Sequence, residues 1–158
     1  MTPKIKTNWH LYTPDLEISF PNMKSWIEED NSLMNRLRLL ETKIDLIVLD
    51  EQICKHHDAQ TSAEPVLGNL RKILLKSDHN LVFAESFFSQ DVIKEFTKFG
   101  RLEEEPLGKY LFSDSNIKKH ETYIADYELD DQTFLGRKCI YSYNDQNFSV
   151  IEVCLFNE

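Results

Sequence analysis

The stretch Phe134-Leu135-Gly136-Arg137-Lys138-Cys139-Ile140-Tyr141-Ser142-Tyr143, followed by Asn144-Asp145-Gln146-Asn147 and then Phe148-Ser149-Val150-Ile151-Glu152-Val153-Cys154-Leu155-Phe156, decides the fold of this chain. Both arms are rich in aromatic and β-branched residues, which suit a pleated, half-buried surface. The four residues between them are turn formers, because their short polar side chains bond nearby backbone and tolerate left-handed conformations. Two strands joined by so short a link must run antiparallel. The predicted strands are roughly 134–143 and 148–156, and the second is so nearly continuous in apolar residues that both its faces are expected to be buried.

Outward from this hairpin the same signals recur. A third strand is expected at about 121–129. Further upstream, Ile44 and the Leu46-Ile47-Val48-Leu49 run mark a buried strand within 43–54. Two more runs, 67–76 and 81–88, flank Ser77-Asp78-His79-Asn80, which has hairpin-loop chemistry. Ser89 offers an N-cap to a short helix through Val92, Ile93 and Phe96 that ends near Gly100. Near the start, Asn22 can cap a helix through Trp26, Ile27, Leu33, Leu37 and Leu40. Its acidic residues Glu28, Glu29 and Asp30 come early and its basic residues Arg36 and Arg38 late, as the helix dipole favours. Residues 1–21 read as an extended arm. Six strands on short links, with grouped helices, predict an α+β fold in a single domain over 1–158, built on an antiparallel sheet.

Composition sets bounds on function. With 18 Lys and Arg against 27 Asp and Glu, the formal net charge is −9. The summed field repels polyanions, so no nucleic-acid partner is expected. An anionic substrate would need a locally placed Arg or Lys to attract it. No apolar run has the length of a secretory h-region or a membrane span, and a cytoplasmic protein, acting as a monomer, is expected. Cys54, Cys139 and Cys154 lack the close spacing of a zinc or redox motif and read as reduced structural residues.

Few residues suggest chemistry. Glu152 sits at the centre of the apolar closing strand, where a carboxylate is costly unless paired or neutralised; it either serves a site, or it points to a solvated sheet face or pairs with a nearby Lys. Arg71 lies between Leu70 and the Ile73-Leu74-Leu75 run, and its planar fork can grip a carboxylate; Lys72 and Lys76 support instead an ordinary surface arginine. His56-His57 lacks a third metal ligand at any fixed spacing, and Glu103-Glu104-Glu105 reads as a solvated loop run. No phosphate-cradling glycine motif and no nucleophile elbow occurs. Neither metal nor organic cofactor is expected.

Taken together, several separate stretches resemble the chorismate lyase family. In order they are Trp26-Ile27-Glu28-Glu29-Asp30-Asn31-Ser32-Leu33 with Arg36, Leu70-Arg71-Lys72-Ile73-Leu74-Leu75, Phe83-Ala84-Glu85-Ser86, Pro106-Leu107-Gly108-Lys109-Tyr110-Leu111-Phe112, and Glu152 in the closing strand. The resemblance covers roughly 22–156. It implies a lyase that splits chorismate into 4-hydroxybenzoate and pyruvate, feeding ubiquinone synthesis or another route that uses 4-hydroxybenzoate. It also implies an antiparallel sheet with helices on one side and two flap-like helical segments over an internal cavity. By the same resemblance Arg71 holds the ring carboxylate, Glu152 takes the ring hydroxyl, and Leu33 and Leu107 line the substrate pocket. The chain departs from the ubiquinone-pathway enzymes at Glu85, where they typically carry Arg; some relatives resemble the Ala84-Glu85-Ser86 form.

The competing class is a non-catalytic domain that binds or senses an aromatic carboxylate, since related folds serve as effector domains of transcription regulators. Such regulators carry a helix-turn-helix domain, for which this chain has neither the length nor the basic charge.

Overall fold

The computed structural model describes residues 2–41 and 43–157. Its centre is one antiparallel sheet. Six long strands, β3 Asp45–His56, β4 Val66–Lys76, β5 Asn80–Ser89, β6 Ile117–Leu129, β7 Gln132–Tyr143 and β8 Gln146–Cys154, are joined by two short ones, β1 Lys4–Ile5 and β2 His10–Leu11. The order is β1-β6-β7-β8-β5-β4-β3, with β2 also on β6.

Eight strands rather than six result because the arm read as merely extended adds itself to the outer edge of β6. Lys6 N–H donates to the Asp126 carbonyl and Tyr12 N–H to the Thr122 carbonyl, both at 2.8 Å. An edge strand offers unpaired backbone groups, and this short segment covers part of that edge.

The decisive hairpin forms with a tighter turn than the four residues expected. Asn144 and Asp145 both adopt left-handed backbone, with φ of 47° and 68°, and Tyr143 already pairs with Gln146. The two-residue turn with φ positive at both positions matches the right-handed twist of its strands. Asp130 and Asp131, at φ 51° and 63°, make the same turn between β6 and β7.

The long first helix expected from apolar periodicity is broken. A 3-10 turn at Pro21–Met23 leads into α1 Lys24–Ile27, and α2 is Leu33–Arg38. Asn22 lies inside the 3-10 turn, so it does not act as the cap. Instead the Ser32 hydroxyl accepts from Asn35 N–H at 3.2 Å and starts α2 afresh. Downstream, α3 Gln90–Glu95 is capped by Ser89 as expected, a 3-10 turn follows at Thr97–Gly100, and α4 is Gly108–Leu111.

Register assigns each side chain a face, because neighbours along a strand alternate. One face carries Arg71 and Ile73 of β4, Val82, Ala84, Ser86 and Phe88 of β5, Val150 and Glu152 of β8, and Leu135, Arg137 and Tyr141 of β7. Two apolar clusters cover it. Trp26, Ile27, Leu33 and Leu37 pack on Ile73, Leu75 and Leu135 at one end; Val92, Phe99, Leu102 and Leu107 pack on Phe88, Tyr141 and Val150 at the other.

The opposite face buries Phe83, Tyr127, Phe134, Ile151 and Val153. It also buries a charge pair. Lys138 Nζ lies 2.9 Å from Asp58 Oδ1 and 2.7 Å from Gln60 Oε1, the Ser149 hydroxyl donates to Asp58 Oδ2, and the ammonium sits 4.9 Å from the Trp9 ring centroid. Burial pushes the Asp58 carboxyl upward, yet Lys138, Ser149 and the Gln60 N–H outweigh it and hold the group below the ordinary carboxylate range. No described helix is long and apolar enough to cross a membrane.

Candidate active site

Between the two apolar clusters lies a cavity of about 70 Å³. Arg71, Glu152, Leu33 and Leu107, the four site residues expected from sequence, all line it, together with Ala84, Ser86, Arg137 and Tyr141. The ladder explains the space. Arg71 pairs with Ser86 and Glu152 with Ala84, so β5 separates the two charged residues and offers only small side chains between them. Two ladder steps put their backbones roughly 10 Å apart across the sheet.

Arg71 is 2% exposed, which settles its face: it is not a surface arginine. One end of its fork is fixed, Nη2 donating to the carbonyls of Glu103 and Glu105 at 2.8 and 2.7 Å. Its Nε is buried with no partner among the described residues. An unsatisfied buried N–H costs about 1–3 kcal/mol, and the guanidinium that carries it belongs to a residue of the cavity lining.

Directly across β3 from Arg71 is Glu51, a residue the sequence reading missed. Its carboxylate accepts from the N–H groups of Leu102 and Glu103 at 2.7 and 2.8 Å and from Asn69 Nδ2 at 2.9 Å. Burial raises its pKa, but these bonds and the Arg71 charge hold it below the usual range. The opposed pair thus grips one loop from both sides, Glu51 taking its N–H groups and Arg71 its carbonyls. Glu103-Glu104-Glu105 works through its backbone as well as its charges. Glu105 adds a clasp: the Tyr110 hydroxyl at 2.6 Å and Lys98 at 3.0 Å hold its carboxyl down to about 2. That loop leads straight into Pro106, Leu107 and Gly108 of the cavity wall.

Glu152 is neutralised by Arg137, also missed. Arg137 faces Glu152 in the ladder and donates from Nε at 3.1 Å and Nη2 at 2.9 Å to the same Oε1. Its remaining nitrogen, Nη1, donates to the carbonyls of Trp26, Ile27 and Glu29 at 3.0, 3.1 and 2.8 Å. The C-terminal carbonyls of α1 are thereby satisfied by a charged donor. Oε2 of Glu152 has no protein bond among those described and can accept from a ligand. Tyr141 completes this end, and burial, with Cys139 and Glu152 nearby, pushes its phenol well above the ordinary value, so it lines the cavity as a neutral donor.

Glu85 does not belong to this site. It lies on the opposite face, across from Ile151, with its carboxylate 3.9 Å from Lys72. His56, at the end of β3, packs on the Phe87 ring at 4.8 Å, and His57 contacts the Ser62 carbonyl.

The fold encloses a cavity that brings a buried arginine with one unpaired N–H and a neutralised carboxylate together on one sheet face. The family model for chorismate lyase matches residues 5–158, and the chain belongs to that family. It is similar, at 26% identity over 152 residues, to a protein of Pseudoalteromonas translucida (strain TAC 125) described as a probable chorismate pyruvate-lyase; the match covers 84% of this chain and 83% of that protein.

Proposed function

We propose that this protein is a chorismate pyruvate-lyase, converting chorismate to 4-hydroxybenzoate and pyruvate. The observation that carries the reading is that Arg71, whose buried Nε has no partner among the described residues, lines the same cavity as Glu152. Arg71 takes the ring carboxylate and Glu152 the 4-hydroxyl, while Leu33 and Leu107 close on the ring from α2 and from the turn before α4. These two segments act as flaps over the cavity.

The reaction balances without an added redox partner. The C4–H bond gives its electron pair to a new ring double bond as the ether bond at C3 breaks. The enolpyruvate leaves, takes up the proton and tautomerises to pyruvate. Aromatisation supplies driving force, so the protein's task is to fix the ring and place charge. The product would feed ubiquinone synthesis or another route that consumes 4-hydroxybenzoate.

The test is incubation of purified protein with chorismate and measurement of 4-hydroxybenzoate and pyruvate in equal amounts. Tight 4-hydroxybenzoate binding without turnover would replace the lyase with a binding module.

A further inference from the structure

Resting on the lyase reading, a second question concerns charge. Chorismate carries two carboxylates, one on the ring and one on the enolpyruvyl group, whereas 4-hydroxybenzoate carries only the first. The inner cavity has one cation to offer. Arg137 is consumed by Glu152 and three carbonyls, which leaves Arg71. The cavity is also small, about 70 Å³.

A wider depression of about 370 Å³ adjoins it, sharing Asn31, Ser32, Met34, Pro106, Gly108 and Phe112 as a common wall. The two closing segments meet along that wall, for a Cβ on Gly108 would sit 3.3 Å from Ser32 Oγ. The depression adds two cations, Arg38 from α2 and Lys109 from α4. Arg38 is exposed, reaches only Asn35 Oδ1 at 3.4 Å, and pairs with no carboxylate among the described residues. Lys109 is 3.4 Å from Glu105, but that carboxylate is shared with Lys98 and with the Tyr110 hydroxyl. On a chain of net charge −9, two cations facing one depression beside the ring cavity form a local attraction for an anion.

We propose that this outer depression is the subsite for the enolpyruvyl carboxylate, with Arg38 and Lys109 as its cationic partners. The ring enters the inner cavity while the side chain stays in the outer one. After cleavage the pyruvate fragment is released from the open side. The two cations therefore discriminate the dianionic substrate from the monoanionic product.

The test compares substrate with product in the double variant Arg38→Gln/Lys109→Gln. Neither residue is in the apolar core, and an unchanged thermal midpoint checks the fold. The expected result is a KM for chorismate raised about tenfold, as for loss of charge-assisted contacts in partly exposed positions. The inhibition constant of 4-hydroxybenzoate stays within twofold. The KM of the unaltered protein should rise with added salt, and that rise should flatten in the double variant. An unchanged chorismate KM in the variant, or equal weakening of substrate and product, overturns the subsite. Failure of the unaltered protein to cleave chorismate overturns the lyase reading, and the subsite with it.

Discussion

Arg137 and Glu152 stand directly opposite each other in the β7–β8 ladder, two nitrogens of one guanidinium on a single carboxylate oxygen at 3.1 and 2.9 Å. Both side chains are nearly withdrawn from solvent, at 6% and 18% exposure. Arg137 therefore does two things at once: it neutralises the cavity carboxylate, and it anchors the segment after α1 from which α2 and Leu33 are hung.

Removing it should cost both. In Arg137→Met the Glu152 charge is left without a partner and three carbonyls lose their donor; uncompensated buried charge of this kind costs about 3–5 kcal/mol. Urea unfolding of the variant should show that loss. A loss below about 1 kcal/mol would mean the pair is solvated in solution.

Arg71→Ala should weaken 4-hydroxybenzoate binding by about 2–5 kcal/mol, since truncating one member of a desolvated charge pair leaves the other unpaired. It also frees the carbonyls of Glu103 and Glu105. Calorimetric titration measures the first effect, and hydrogen exchange over residues 101–107 the second. Unchanged product affinity in a folded variant removes Arg71 from the site.

On the opposite face, Asp58 links stability to pH. Its carboxyl is held low in the folded protein, so the stability it contributes is complete above the unfolded value near 3.9 and drains away as pH falls through the folded value. The unfolding free energy should decline on acidification from about pH 5, and less steeply in Asp58→Asn. That variant also leaves Lys138 buried without its counter-charge, so it should be less stable at pH 7 by about 3–5 kcal/mol. An equal acid slope in the variant would show that other carboxylates carry the linkage.

Gly136 needs its missing side chain. A Cβ there would lie 2.8 Å from two Tyr127 ring carbons and 3.3 Å from Val153 Cγ2. Gly136→Ala should thus overpack a buried face and cost about 1–3 kcal/mol, read as a lowered unfolding midpoint.

The outcome for Arg137 shows where sequence reading stops. The hairpin was legible because turn formers separate two β-rich runs. Its partner assignment was not, because a four-residue loop at 144–147 and a two-residue turn at Asn144-Asp145 differ by one ladder step. The longer loop sets Glu152 opposite Cys139; the tighter one sets it opposite Arg137, seven residues to either side of the turn. Counting outward from the Asn-Asp pair would have found the ion pair. Arg71 and Glu152 were visible as charges in apolar runs, though each had an ordinary alternative that only burial removes. Glu51 carried no such mark, since it stands in the polar Asp50-Glu51-Gln52 segment after the apolar run, and its pairing with Arg71 across the ladder is set by a register shift between Val48 and Asp50. The first helix failed for a different reason: helical apolar spacing spans residues 28–32 from Ile27 to Leu33, while the chain turns there, giving the Glu29 carbonyl to Arg137 and re-starting at Ser32.

The sharpest test of the site is Glu152→Gln. The amide keeps the size and one acceptor oxygen, so Arg137 retains a hydrogen-bond partner and the α1 carbonyls stay bound; the fold should survive, with a lowered thermal midpoint because Arg137, like Lys138 in Asp58→Asn, is left buried without its counter-charge. What disappears is the negative charge beside the ring hydroxyl. If Glu152 orients that hydroxyl and places charge as the ring aromatises, kcat/KM should fall by at least about 10², the lower range for a positioned acid-base or electrostatic group. Glu152→Ala should fall further, and it should lose more stability than the Gln variant, because Nε and Nη2 of Arg137 then lose their acceptor as well and a cavity is left. Comparing turnover with thermal midpoint across the two variants separates the roles. Near-normal turnover in a folded Gln variant would make Glu152 a structural counter-ion for Arg137 and move the ring hydroxyl elsewhere in the cavity, with the Tyr141 phenol as the next donor to test.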